Sequence, residues 1–329
     1  MTRVAVVGCG SIGTRHIGNL LSLGVSDIIA LDPDSGRRDC IHQQFGVKTC
    51  EDEEMVWNYR PDVVLITTPP KLHLELAISA ARHGCHFFVE KPLSDRVEGL
   101  DELVEICQSR SLITMVGCNM RFHFGPSNVK RLVSEGVIGR PISASLDAGQ
   151  YMPDWHPDQD YRKRYSAQSR LGGGVILDGI HELDYARWLF GEVAEIFCHG
   201  GKLSRLEIDV EDSANILMIF KTGISAMVHI DYIQRFYSRS CKVIGEEGTI
   251  SWDIHGALKF FTAKTGKWEV VEPPAKYTIN DMYVEEMRHF LSCVEQDEAT
   301  ISGVEDASKV TRMALAARKS MLNREKVLL

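Results

Sequence analysis

Four consecutive apolar residues, Val4-Ala5-Val6-Val7, open the chain and stop at a glycine-rich turn, Gly8-Cys9-Gly10-Ser11-Ile12-Gly13. An unbroken apolar run of this length reads as a strand buried on both faces. Ile12, Ile17, Leu20 and Leu21 then recur at helical spacing up to Gly24, and a second strand over 27–31 ends at Asp32. The same grammar repeats downstream. A strand over 62–67 is stopped by Thr68-Pro69-Pro70, and a helix runs through His73, Leu76, Ala77, Ala80 and Ala81 to Gly84. A strand over 86–89 ends at Glu90-Lys91-Pro92, a helix spans 96–108, and a short strand covers 113–116. Such βα alternation predicts a doubly wound parallel sheet with its ligand at the carboxyl ends of the strands. The glycine turn, Asp32, residues 67–70, 90–92 and 117–121 all follow strands, so one edge of the sheet gathers them.

After about Phe122 the pattern changes. A helix near 128–135 precedes Gly139-Arg140-Pro141 and an alternating run from Ile142. Trp155 and Tyr165 fall in an irregular, charged, aromatic stretch, and Gly172-Gly173-Gly174 precedes one helix carrying Asp178, His181, Asp184 and Trp188. Strands over 194–198, 214–220, 224–232, 240–244, 249–253 and 258–262 predict a mostly antiparallel sheet, and helices over 282–294 and 305–322 follow. The expected organisation is a dinucleotide-binding domain over 1–122 and an α+β substrate-binding and oligomerisation domain over 123–329. In the strands at 214–220 and 224–232, both alternations are apolar, as in Ile216 with Leu217 and Met227 with Val228. A sheet covered on one face would expose the other, so a homo-oligomer, dimer or tetramer, is expected through it.

Composition narrows the class. The 329 residues carry 37 Lys and Arg against 45 Asp and Glu, a formal charge of −8, which argues against nucleic acid as partner. Nine cysteines lack metal-binding spacing and read as reduced thiols. No cationic, apolar leader and no membrane-length apolar run is seen, so the expectation is a cytoplasmic protein with no membrane contact and no metal.

The glycine turn has a specific chemistry. Gly8 permits the tight turn, Gly10 lets the backbone approach a pyrophosphate, and Gly13 allows close helix–strand packing, while Ser11 and Ile12 open a helix whose free N–H groups face the phosphates. Asp32, about twenty residues on, is placed to accept from the ribose diol, which favours NAD over NADP. Arg37 and Arg38 keep NADP open as the lesser alternative.

With these residues placed, the chain resembles the family of glucose–fructose oxidoreductase, inositol dehydrogenase and rhizopine-catabolism dehydrogenases (Gfo/Idh/MocA). The resemblance rests on the glycine turn, Glu90-Lys91-Pro92 at a strand end, the triple glycine and the helix bearing Asp178 and His181. It implies a nicotinamide-binding Rossmann domain and an α+β domain, and oxidation of a secondary alcohol of a sugar, inositol or nucleotide-sugar-like substrate, or reduction of the ketone. It further implies that Lys91 hydrogen-bonds the reacting oxygen, that Glu90 lies near the nicotinamide, and that His181 takes the hydroxyl proton. Pro92 admits a cis bond after Lys91. Thr68, Pro69 and His73 would pass beside the nicotinamide ribose, and Arg121 would orient Glu90 or the nicotinamide. The family's aspartate usually precedes the histidine by four residues; here Asp178 precedes His181 by three, and Asp184 follows it by three, so either could be its partner. Asp184 could instead be structural, paired with Arg187. Trp155, Arg162, Arg164 and Tyr165 would meet the substrate, whose anionic groups the basic residues could bind. The subgroup resembled is linked to amino-sugar or nucleotide-sugar metabolism. A glycosidase with transient redox chemistry, or a non-catalytic nucleotide sensor, are the competing readings.

Overall fold

A computed structural model describes residues 2–329. It divides into two compact units, one of residues 2–118 with 280–309, the other of residues 119–279 with 310–329. The segment 280–309, expected in the second domain, therefore clusters with the first.

The first unit begins β1 (Val4–Val7), α1 (Ser11–Ser22), β2 (Ile28–Leu31), α2 (Ser35–Phe45), β3 (Lys48–Cys50), α3 (Glu53–Tyr59), β4 (Val63–Ile66), α4 (Pro70–Arg82), β5 (His86–Val89), α5 (Leu100–Ser109) and β6 (Thr114–Val116). Its strands form one parallel sheet in the order β3-β2-β1-β4-β5-β6, the doubly wound Rossmann order. β1 lies at its centre, Val4–Val7 pairing with Ile28–Leu31 on one side and Val63–Ile66 on the other. All twelve of those residues are buried, which is why the apolar runs are unbroken. Ala5, Val7, Val64, Ile66, Phe87 and Val89 form a core with Leu74 and Ala77 of α4 and Leu103 of α5.

The stretch from α2 to α3 escaped the hydrophobic pattern. α2 buries one apolar residue, Ile41, and is defined by its ends: the Asp34 side chain accepts from the Arg37 amide, and Gly46 turns left-handed at φ 67°. Asp52 caps α3 through the Met55 amide in the same way.

The second unit contains α6 (Phe124–Ser134), β7 (Pro141–Gly149), α7 (Val175–Asp178), α8 (Ile180–Phe190), β8 (Val193–Gly201), β9 (Ser213–Phe220), β10 (Ser225–Asp231), β11 (Ser238–Gly245), β12 (Gly248–Asp253), β13 (Leu258–Thr262) and β14 (Lys267–Val271). The chain closes with α9 (Ile279–Gln296), which falls almost wholly in the first unit, α10 (Val304–Asn323) and β15 (Val327–Leu328). The nine-stranded sheet runs β14-β13-β12-β11-β7-β10-β9-β8-β15 and is antiparallel except where β7 and β10 pair in parallel. Its two faces differ sharply. Ile216, Met218, Val228 and Ile230 are buried, whereas their neighbours Leu217 and Met227 are 37% and 50% exposed.

The triple glycine is followed by two helices, not one. α7 is a single turn ending at Asp178, Gly179 breaks it, and α8 begins at Ile180. Asp178 and His181 therefore sit on opposite sides of a break and do not share one continuous helical face.

Candidate functional site

In the first unit, the carboxyl edge of the sheet is knitted together by hydrogen bonds between loops. Gly8 adopts φ +102°, and a Cβ there would come within 2.9 Å of the Thr67 carbonyl group. The Thr67 hydroxyl donates to the Gly8 carbonyl at 2.6 Å. A Cβ on Gly13 would collide with the Gly8 carbonyl oxygen, so that position demands glycine. Gly10, at the N-cap of α1, is different: a Cβ there would meet nothing within 4 Å, leaving open space before a helix start that no side chain caps. Asp32 is 2% exposed and accepts from the amides of Cys9 and Asp34, each at 2.9 Å, with Arg37 at 3.4 Å. Burial, with the Asp32 charge beside it, pushes the Cys9 thiol up to about 12.

The loops after β4 and β5 meet at His73. Its Nδ1 lies 2.7 Å from the Pro92 carbonyl and its Nε2 2.7 Å from the Thr68 carbonyl, so the ring ties the two loops. Burial pulls the His73 pKa down, against the opposing pull of those two carbonyls. The Lys91–Pro92 bond is cis, and Lys91 is partly exposed. Glu90 is buried with one carboxylate oxygen 2.7 Å from His16 Nε2. Burial alone would push the Glu90 carboxyl up; His16, then Lys91 and His73, hold it below the usual carboxylate range.

NAD fits these residues. The open space at Gly10, the uncapped N-terminus of α1 and the buried Thr68 hydroxyl, which has no hydrogen-bond partner among the described residues, leave donors and room for a phosphate-bearing dinucleotide.

In the second unit, the triple glycine is wedged between two supports. Its amides donate to the Gln168 and Ser166 carbonyls, and a Cβ on Gly173 would collide with the Tyr165 carbonyl oxygen. Arg318, ion-paired to Glu211 at 2.8 Å, donates to the Gly173 carbonyl, and Glu211 accepts the Ile176 amide at 3.2 Å. This places Asp178 between two phenols: Tyr165 donates to it at 2.7 Å and Tyr232 at 3.3 Å. Burial, then the Asp178 charge, raises the Tyr232 hydroxyl well above its ordinary value, so it remains a donor. The Trp155 ring packs edge-on to Tyr232 at 5.2 Å. His181, at the start of α8, is 6% exposed.

Residues 2–118 match the model of the oxidoreductase family with an NAD-binding Rossmann fold, and residues 127–251 match the GFO/IDH/MocA C-terminal domain. The myo-inositol 2-dehydrogenase of Thermotoga maritima is 30% identical, with 99% of this chain and 98% of that protein covered. The chain belongs to the GFO/IDH/MocA family. The scyllo-inositol 2-dehydrogenase (NAD(+)) of Bacillus subtilis is 27% identical over 98% of this chain and 94% of that protein. A solved levoglucosan dehydrogenase in complex with NADH shares the fold, with TM-score 0.90 at 20% identity over 99% of this chain and 98% of that one. As in that family, the first unit is an NAD-binding Rossmann domain.

Several expected partners differ for this GFO/IDH/MocA chain. Arg121, expected to orient Glu90 or the nicotinamide, forms a bidentate pair with Asp184 at 2.6 and 2.8 Å, both side chains almost wholly buried. Arg187, considered for Asp184, pairs with Glu192 instead. A guanidinium removed from water needs a carboxylate fork at hand, and the nearest one takes it. Arg162, expected at the substrate, is exposed and already matched by Asp160 at 2.8 Å and Glu207 at 2.6 Å. Arg164 retains a buried Nε without a hydrogen-bond partner among the described residues. Arg239 pairs with the buried Glu182 at 2.9 Å. Trp188 is only partly buried, with Arg121 and Lys130 over its ring.

Three participants escaped the sequence reading. His16 stands on the buried face of α1, where a histidine among Ile12, Ile17 and Leu20 was the available signal. Tyr232 and Glu211 carried none, because their partners are remote in sequence.

Asp184→Asn leaves the Arg121 guanidinium buried without its counter-charge. Urea denaturation is expected to show a loss of about 3–5 kcal/mol; a change below about 1 kcal/mol would mean that the pair carries no such weight.

Proposed function

We propose that this chain is an NAD(H)-linked dehydrogenase that oxidises a secondary alcohol on a cyclitol or sugar-like ring, or reduces the matching ketone. The observation that carries the reading is Glu90-Lys91-Pro92 at the carboxyl end of β5, in a chain aligned end to end with an inositol dehydrogenase. Gly8, Gly10, Ser11, Ile12, Gly13, Asp32, Thr68 and Pro69 hold the dinucleotide, which when bound supplies a hydride acceptor at its nicotinamide ring. Oxidation of the alcohol removes a hydride from carbon and a proton from oxygen, and this chain's side chains manage the proton. Lys91 donates a hydrogen bond to the reacting oxygen and stabilises its developing negative charge. His181 takes the hydroxyl proton, imidazole being the side chain that titrates near neutrality. Asp178, fixed by Tyr165 and Tyr232, orients the substrate hydroxyls or His181.

Absorbance at 340 nm with NAD and a panel including myo-inositol, scyllo-inositol and levoglucosan tests this reading. Net NADH formation is expected. Release of an aglycone without net NADH indicates a glycosidase, and binding without turnover a sensor. Lys91→Ala is expected to lower turnover roughly 10²–10⁴-fold while NAD affinity changes little, because the pyrophosphate site is separate. Unchanged turnover would sink the assignment.

Cofactor choice follows from Asp32. A buried carboxylate at the end of β2 repels a 2′-phosphate and accepts from a ribose diol, so the wild type is expected to prefer NAD to NADP. In fluorescence titrations Asp32→Ala should narrow that preference; equal wild-type affinities would remove Asp32 from the role.

The same reading includes a homo-oligomer built on the open face of the second sheet. Phe197, Leu217 and Met227 lie side by side across β8, β9 and β10 and are 43%, 37% and 50% exposed. Such a row of apolar side chains gains most by covering itself with a second copy. Light scattering at micromolar concentration should give a multiple of the 36.9 kDa chain mass, reduced by Met227→Glu; a monomeric wild type rejects it.

A further inference from the structure

Glu90 ends β5 with its carboxylate out of water, and the side chain that meets it comes from the first helix of the sheet. His16, wholly buried on α1, places Nε2 2.7 Å from Glu90 Oε1. Phe88 and Tyr283 pack edge-on against the imidazole, at 5.1 and 6.2 Å between centroids. The other ring nitrogen, Nδ1, is buried with no hydrogen-bond partner among the described residues. That asymmetry fixes the tautomer. The proton sits on Nε2 and is donated to Glu90, because an imidazolium would bury a second N–H with nothing to accept it. The remaining oxygen, Glu90 Oε2, accepts the Lys91 amide at 3.2 Å. Gly117 makes room for the carboxylate, since a Cβ there would come within 3.2 Å of Oε2.

We propose that His16 is a positioning residue for Lys91 and acts through the Glu90 carboxylate. The inference rests on the reading of Lys91 as the residue that meets the reacting oxygen. One carboxylate joins the helix after the glycine turn to the main chain of Lys91, and the His16 donor keeps it ionised and aimed. Other charged and titratable groups surround it. Lys91 and His73 favour the ionised form. Tyr283 on α9 faces it with a hydroxyl that burial and the Glu90 charge push up, and the Arg15 guanidinium lies 4.5 Å from the Tyr283 ring centroid, with Glu286 further along α9. Among these side chains, His16 is the one hydrogen-bonded to Glu90. Without that bond the buried carboxylate takes up a proton at higher pH, and Lys91 loses a charge-assisted anchor for its amide and a negative charge at its side.

The test uses the full chain, and its first arm needs no substrate. The sequence has two Glu-Lys steps, at Lys91 and Lys326, so labelling glutamate carbonyl carbons with 13C and lysine amides with 15N isolates two amide signals. Lys326→Arg assigns them. In the wild type the Lys91 amide shift should stay flat from about pH 5.5 to 8.5, the carboxylate being ionised throughout. In His16→Leu it should titrate within that window, and in His16→Gln, which keeps an N–H donor, it should be flat again. With myo-inositol and NAD as the probe pair, His16→Leu should lower kcat about tenfold or more, with KM for NAD nearly unchanged and His16→Gln restoring it. A Lys91 amide that ignores pH in His16→Leu overturns the proposal. So does a wild-type amide that titrates in the window, which decides the matter even if His16→Leu fails to fold. Lys91→Ala with full turnover would overturn the underlying reading of Lys91 instead, while the amide titration would still report whether His16 governs Glu90.

Discussion

A carboxylate withdrawn from water must be given donors, and in this chain most such donors come from elsewhere in the sequence. Asp32 takes the Cys9 amide, Glu90 takes His16, Asp184 takes Arg121, and the buried Asp212 takes the amides of Leu203 and Ser204. Each of these bonds pulls two chain segments together at a defined spot. Among the segments so joined are the glycine turn and the end of β5, to which the proposed function assigns the cofactor and the reacting oxygen. The architecture supplies strand ends and helix starts; the buried acids decide how the loops between them are set.

This arrangement explains why the acidic residues cannot be ranked by type alone. Asp178 and Asp184 lie six residues apart and both suit a histidine partner on pattern. Their surroundings separate them completely. Asp184 is locked to a guanidinium in the interior and has the environment of a structural ion pair. Asp178 is partly exposed and accepts from two phenols, Tyr165 and Tyr232.

Much of the fold was legible in the sequence, because its strands are buried on both faces and show it. β5 and β13 fall on the expected residues, and most other strands shift by a residue or two at their ends. What escaped has a common physical cause: elements whose identity lies in caps or edges rather than in apolar periodicity. α2 buries a single apolar side chain, and β14 is exposed along nearly its whole length. Gly179 hid the break between α7 and α8 inside an otherwise helical pattern. Candidate residues could be named from the sequence, the glycine turn and Lys91 in the first unit and His181 in the second, but their pairings could not. Local spacing says which side chains could share a helix face; it is silent on Arg121 reaching Asp184 across 63 positions or Tyr232 reaching Asp178 across 54.

The ends of the nine-stranded sheet have a consequence for how far it can grow. An unpaired strand edge is a template on which another chain can add, and such addition has no natural stopping point. Here one edge is β15, two residues long, and the other is β14, where Lys267 and Glu269 place opposite charges beside Trp268 and Val270. Neither offers a long, flat, neutral border. Growth by strand addition is thereby discouraged at both limits, and fibre-like polymerisation is kept out of reach of a sheet whose broad face is nevertheless rich in exposed apolar side chains.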